Sequence, residues 1–306
     1  MTTPEPEVQR DDPAGIFYAA FSYIMWGIMP LYWRLPGTLS ALELTSHRIF
    51  WSAVFVAGVA VARGSLARIM GIVRQPRILG TLALTSVLIT ANWTTYIYCI
   101  ETNQLVEASL GYYINPLVSI ALGAVLLGEH MSRLRLAAIA LAALAVLVQT
   151  FELGHFPFIA IILALSFGFY GYFRKLAPVD ALDGFTVEVW ILFPLVAAFI
   201  GFLAANGTGV FPRAGAFADA VLIFGGPLTA IPLVMFAAGA RRIRLSTLGF
   251  LQYLSPSITL LLAVFGFGEK FTLIHAWTFG AIWAALVLVA IDGRLSRIRP
   301  VEPIVE

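Results

Sequence analysis

Charge is what this chain has little of. Of its 306 residues only 12% are Asp, Glu, Lys or Arg, while 60% are apolar. An average soluble domain carries about 25% charged residues, and a chain this size with half that share lacks the polar surface to stay in water. Cysteine is nearly absent too. The lone Cys99 excludes an intramolecular disulfide and leaves no second thiol for a metal centre. The four histidines, His47, His130, His155 and His275, stand in separate regions without carboxylate clusters or metal-ligand spacing. That excludes a metal site and speaks against an intramembrane enzyme, so no cofactor is expected. No Walker-type phosphate loop is present, which removes ATP as a driver. The net charge of +2 comes from loop arginines and does not imply nucleic acid. Residues 1–14 are polar, acidic and proline-containing, with no basic n-region, and read as a disordered cytoplasmic tail rather than a signal peptide.

What is there are long apolar runs. About 20 residues at 1.5 Å rise cross a 30 Å hydrocarbon core, and ten runs qualify, near 15–33, 41–62, 78–98, 106–127, 133–151, 156–174, 184–204, 218–238, 247–266 and 273–292. The loops are short, the longest polar stretches being 63–77 and 206–219, so no soluble domain is expected. The fold class predicted is an all-α integral membrane protein. Basic residues in short loops stay cytoplasmic. With the N-terminus inside, fifteen Lys and Arg fall on the inner side and three, Arg34, Arg213 and Lys270, outside. Arg48 lies within a span. Both termini are then cytoplasmic, residues 294–306 forming a second tail.

The runs also repeat. Glu107 to Glu129 (EASLGYYINPLVSIALGAVLLGE) returns as Thr247 to Glu269 (TLGFLQYLSPSITLLLAVFGFGE), laying Tyr113 on Tyr253, Asn115 on Ser255 and Pro116 on Pro256. Ser22 to Gly27 is echoed by Ser166 to Gly171. The chain reads as two units, 15–152 and 153–293, of five spans each. Five is odd, so the second unit enters the membrane upside down. Inverted repeats can exchange inward-open and outward-open shapes around a central site, which predicts a transporter working by alternating access.

The motifs HRIFW (47–51), NWTTYIY (92–98), EASLGYYINPL (107–117), FGFYGYFRK (167–175) and RLSTLGFLQYLSP (244–256) resemble the RarD family. That is the chloramphenicol-sensitive-protein branch of the EamA-type drug/metabolite transporters, and the similarity covers about residues 15 to 293. It implies a permease of the bacterial inner membrane, an exporter of a small metabolite or drug-like molecule, with spans 1–4 and 6–9 around a cavity. The alternatives are a flippase for lipids or lipid-linked sugars, which shares this architecture, and a channel. Spans 5 and 10 would lie outside the pathway. Their own residues agree, since span 5 is almost all Ala, Leu, Val and Ile, and span 10 carries Gly280-x-x-x-Ala284 and Ala281-x-x-x-Ala285. Small residues at that spacing serve close packing or a homodimer.

Polar residues inside spans carry the functional information, because hydrocarbon makes them costly. On span 2, Glu43 and His47 share a face and Arg48 lies about one turn deeper. Arg48 either holds an anionic substrate group or locks the helix to backbone carbonyls. On span 3, Asn92 and Tyr96 share a face next to Trp93, lining a cavity or bonding a neighbouring helix. Tyr113 and Tyr253 are symmetric cavity candidates on spans 4 and 9, and Trp26 and Tyr170 on spans 1 and 6. Pro116, Pro232 and Pro256 sit in mid-span, where a proline frees a carbonyl and weakens the helix, so each is a hinge candidate. Glu188 falls in the first turns of span 7 and is expected to be interfacial and solvated. No Asp or Glu sits at the middle of a span, which leaves a proton-coupled carrier and a facilitator both open.

Overall fold

The computed structural model describes residues 11–33, 35, 40–101, 105–153, 156–213, 215–262, 265 and 273–298. Among them there are helices and no strands. They are α1 (Pro13–Trp33), α2 (Ala41–Ala62), α3 (Leu66–Val73), α4 (Pro76–Glu101), α5 (Leu105–Leu126), α6 (Arg133–Leu153), α7 (Phe158–Leu176), α8 (Ala181–Ala205), α9 (Ala216–Ala240), α10 (Leu245–Gln252), α11 (Leu254–Leu261) and α12 (Leu273–Ile298). Nine of the ten expected spans each fall on one helix, and the described part of 247–266 falls on α10 and α11. In six of these helices, α1, α2, α4, α7, α8 and α9, the apolar stretch is long enough to cross a membrane. Shorter apolar stretches occupy Gly111–Leu126 of α5 and Gly280–Asp292 of α12. Large side chains such as Phe17, Val61, Val87, Leu195 and Phe202 are exposed on the outer surface, as hydrocarbon solvent allows and water does not.

The packing carries the repeat into three dimensions. Exchanging the halves swaps α1 with α7, α2 with α8, α4 with α9, α5 with α10–α11, and α6 with α12. Under that exchange the pairing α5–α7 becomes α1 against α10–α11, α4–α7 becomes α1–α9, and α4–α8 becomes α2–α9; all six are present. The pairings α2–α8, α5–α10 and α6–α12 map onto themselves and are also present. The extensive interfaces thus join one half to the other. One example is very close: a Cβ on Gly226 of α9 would stand 2.3 Å from the Trp51 backbone of α2, and the Ser52 hydroxyl donates to the Gly226 carbonyl at 2.9 Å.

One feature differs from the expectation and two give it detail. Residues 63–77 are not a plain loop, because Leu66–Val73 form α3, which buries Ile69 and Ile72 against Leu82, Ala177 and Val179 and leaves Arg68 exposed. Span 9 is broken at Tyr253, three residues before Pro256, whose missing N–H cannot reach back to Gln252. Pro116 and Pro232, by contrast, lie inside continuous helices. The small residues of α6 and α12 are used within the chain: Ala138, Ala142 and Ala145 pack with Ile282 and Ala285. Gly280 and Ala284 face outward, so a homodimer through this pair would use that second stripe.

One end of the bundle gathers the basic loops. Arg135 at the start of α6 donates to Asp292 of α12 at 2.9 Å and to Ser246 of α10 at 2.9 Å. Asp11 accepts from the Arg244 amide at 2.7 Å and its guanidinium at 2.9 Å, and from the Thr247 hydroxyl at 2.7 Å. Burial pushes the Asp11 carboxyl up, but the bonds from Arg244 and Thr247 outweigh it and hold the group below the usual carboxylate range. Glu129 accepts from the amides of Leu245 and Ser246 at 2.5 and 2.9 Å and so caps α10, a carboxylate at the positive end of a helix. Lys175 donates to the carbonyls of Ala240 and Ile243 just past α9. Residues 11, 129, 135, 175, 244 and 292 share this end, as an even number of crossings between them requires. The expected N-terminal tail therefore includes ordered residues from Asp11 onward. Residues 1–10 and 299–306 lie outside the described residues, as do Lys270 and Glu269.

Candidate functional site

Arg48 is the centre of the site. It stands seven residues into α2, roughly 10 Å along the helix at 1.5 Å per residue, counted from the end opposite the basic loops. Its guanidinium lies between two indoles, 4.7 Å from the Trp33 ring of α1 and 4.8 Å from the Trp93 ring of α4. Nε donates to the Thr229 hydroxyl of α9 at 3.1 Å. Two aromatic rings lie against the cation, an arrangement that stabilises it where water is scarce. The edge is different. Among the described residues, Nη1 and Nη2 of Arg48 have no hydrogen-bond partner, and the side chain is half-buried rather than sealed. Tyr96 of α4 and Tyr112 of α5 lie within Coulombic reach of the charge, with their rings edge-to-face at 5.5 Å. Arg48, Trp33, Trp93, Tyr96 and Tyr112 are all partly exposed. Five helices from both halves thus line a cleft with one cation and an aromatic wall.

Toward the basic end the cleft is closed. Trp26 of α1 packs on Phe167 of α7 and Phe236 of α9, with ring centroids 5.6 and 5.8 Å apart. Tyr170 stacks on Phe236 at 5.8 Å, and Tyr23 meets the same ring at 6.0 Å. Tyr23, Tyr170 and Phe236 are buried. Below this plug lies Glu188 of α8, which accepts from the Thr85 hydroxyl of α4 at 2.5 Å and the Tyr170 hydroxyl at 3.4 Å. Its Oε1 is 3.6 Å from Nε of Arg174 on α7, and neither side chain is exposed by more than 2%. Glu188 is therefore not the solvated interfacial carboxylate expected of it, because the last turn of α7 brings Arg174 against it.

The candidates separate into those in the cleft and those outside it. Arg48, Trp93 and Tyr96 come together. His47 turns the other way, onto the Phe211 ring at 5.5 Å, near Glu43 and Asp219. Glu43 accepts from the Val210 amide at 2.6 Å and fastens residues 206–213 to the far end of α2. Asn92 donates to the Leu163 carbonyl at 2.9 Å and the Ser166 hydroxyl at 3.1 Å, bonding α4 to α7. Tyr113 and Tyr253 are buried where α5 meets the α10–α11 break, the Tyr253 hydroxyl donating to the Tyr113 carbonyl at 3.3 Å. Trp26 and Tyr170 belong to the plug. Three residues of the cleft escaped the sequence reading: Trp33, at the end of span 1, Tyr112, next to the symmetric Tyr113, and Thr229. Only Tyr112 had a signal, since it stands in the repeated motif.

The comparisons with known proteins agree with this architecture. The model of the EamA-like transporter family matches residues 13–151. An uncharacterized transporter of Vibrio cholerae is 42% identical over 285 residues, covering 93% of this chain and 94% of that protein. Protein RarD of Escherichia coli K12 is 38% identical over 279 residues, covering 91% and 94%. The chloramphenicol-sensitive protein RarD of Pseudomonas aeruginosa is 28% identical over 296 residues, covering 92% and 96%. A crystal structure with 17% identity superposes with a TM-score of 0.68 over 92% of this chain and 98% of the other, which shows a shared fold. With two five-span halves interleaved around a cationic cleft and RarD proteins as full-length relatives, the chain belongs to the EamA-like transporter family, on its RarD branch, and is a multi-pass membrane transporter and not an enzyme.

Proposed function

We propose that this transporter exports a small molecule bearing an anionic group across the bacterial inner membrane, with both termini cytoplasmic, by alternating access. One observation carries the substrate class: the Arg48 guanidinium lies against the Trp33 and Trp93 rings, and its outer edge has no hydrogen-bond partner among the described residues. A guanidinium edge offers two parallel N–H donors that match a carboxylate. The same cleft excludes a cation by charge. The plug of Trp26, Phe167, Tyr170 and Phe236 supports a state closed toward the basic loops. Basic loops are cytoplasmic by the positive-inside rule, so in this reading the cytoplasmic path is shut.

The test is thermal stabilisation of the purified protein by benzoate, benzamide and benzylamine, three ligands of one skeleton and different charge. A ligand that binds the folded state raises the melting temperature. Benzoate is expected to stabilise the parent and not Arg48→Gln. Equal stabilisation by benzylamine, or a benzoate shift that survives in Arg48→Gln, overturns the reading. Proteoliposomes loaded with the stabilising anion then report the direction of movement.

A further inference from the structure

A groove of about 460 Å³ opens on the surface between α1 and α9, lined by Tyr32, Leu35, Phe217, Val221, Phe224 and Leu228 among others. Its lining is apolar. The exception is the Tyr32 hydroxyl, already bonded to the Val221 carbonyl at 2.6 Å. Phe217 and Phe224 stand exposed at its rim, on the side that meets hydrocarbon. The groove and the Arg48 site draw on adjacent residues of α1 and α9. Trp33 stacks on Arg48 with one face, and the edge of its six-membered ring rests on Gly225, where an added Cβ would stand 3.2 Å from it. Leu228 lines the groove while its neighbour Thr229 accepts from Arg48. The apolar trough and the cation are therefore held by neighbouring residues of the same two helices, Tyr32 and Leu228 on one side and Trp33 and Thr229 on the other.

We propose that the transported anion carries a hydrocarbon chain, that the α1–α9 groove holds this chain while Arg48 holds the head, and that Trp33 is the partition the molecule passes when it leaves sideways into the bilayer. This rests on the anion reading of Arg48 and adds the substrate class to it. The occupant follows from charge complementarity at one end and apolar lining at the other. A carboxylate alone leaves the groove unused, and a neutral lipid leaves the guanidinium edge unpaired. Trp33 is a positioning residue in the resting site and becomes the gate only when a chain is present.

The experiment measures binding of butanoate, octanoate and dodecanoate at known free concentration, with benzoate as the chainless reference. Dodecanol and dodecyltrimethylammonium serve as uncharged and cationic controls. The proteins are the parent, Arg48→Gln, and two groove-filling variants, Ala220→Trp and Leu228→Trp. Affinity is expected to rise about tenfold or more from butanoate to octanoate, since each buried methylene adds to binding. Both groove variants should lose that rise and keep benzoate binding, which also shows that they are folded. A chain-length series that is flat in the parent, or that survives both fillings, overturns the inference and leaves the anion site standing. If neither benzoate nor any fatty acid binds the parent, the anion reading itself falls. Dodecanol binding as tightly as dodecanoate also overturns the inference, because the head would then play no part.

Discussion

Glu188 and Arg174 form an ion pair inside the bundle, 3.6 Å from Oε1 to Nε, with both side chains buried. Nε and Nη1 of Arg174 have no hydrogen-bond partner among the described residues, whereas Nη2 donates to the Ala181 carbonyl at 2.9 Å. Removing one partner of a buried pair leaves the other charge uncompensated, at a cost of about 3–5 kcal/mol. Glu188→Ala is expected to lower the melting temperature sharply. The double change Glu188→Leu with Arg174→Met should recover most of that loss. If the double variant is no more stable than the single one, the pair is not coupled as drawn.

Asn92 bonds α4 to α7 through Leu163 and Ser166. Hydrogen bonds between membrane helices contribute about 0.6–1.7 kcal/mol. Asn92→Ala should lower stability by roughly that much and leave benzoate binding unchanged. A changed affinity with unchanged stability would move Asn92 into the cleft.

Two glycines separate close packing from open surface. Gly226 is pressed on the Trp51 backbone, which cannot yield, whereas nothing lies within 4 Å of a Cβ on Gly280. Overpacking costs about 1–3 kcal/mol where neighbours can relax, and more where the obstacle is backbone. Gly226→Ala is expected to fail as a monodisperse species in gel filtration, while Gly280→Ala elutes like the parent. The reverse order would refute the α2–α9 contact.

Asp11 sets an acid dependence. Its carboxyl titrates below its usual value in the folded state, so its stabilising contribution is complete above the unfolded value near 3.8 and is lost as pH falls through the lower folded value. Asp11→Asn should melt below the parent at pH 7, and the two curves should converge as the pH drops below about 3.8. A constant gap down to the lowest pH measured would show that the carboxylate charge is not what matters.

Much of this was legible in the residues. Span positions followed from apolar runs, and the two halves from the Pro116 and Pro256 motifs. Arg48 stood out because a guanidinium inside hydrocarbon requires partners. The partners themselves were not legible. Trp33 reaches Arg48 from another helix, and no periodicity within α1 marks the face it presents. Arg174 reads as one more basic residue near a loop until α7 is set beside α8. Asn92 offered two readings, and only the position of Leu163 decides between them. Periodicity reports the face of one helix, whereas a site here is made by five.

The cross-half pairings also bear on how the protein is made. The extensive interfaces of α1, α2, α4 and α5 are with helices that follow Phe158 in the chain. While the first five spans are being inserted, their main contact surfaces have only lipid to meet. The half that emerges first must wait in the bilayer with only its lesser contacts, such as α5 with α6 and α2 with α4, until the second is threaded among its helices. Two co-expressed fragments cut near residue 155 should then assemble into one folded protein, and neither should fold alone.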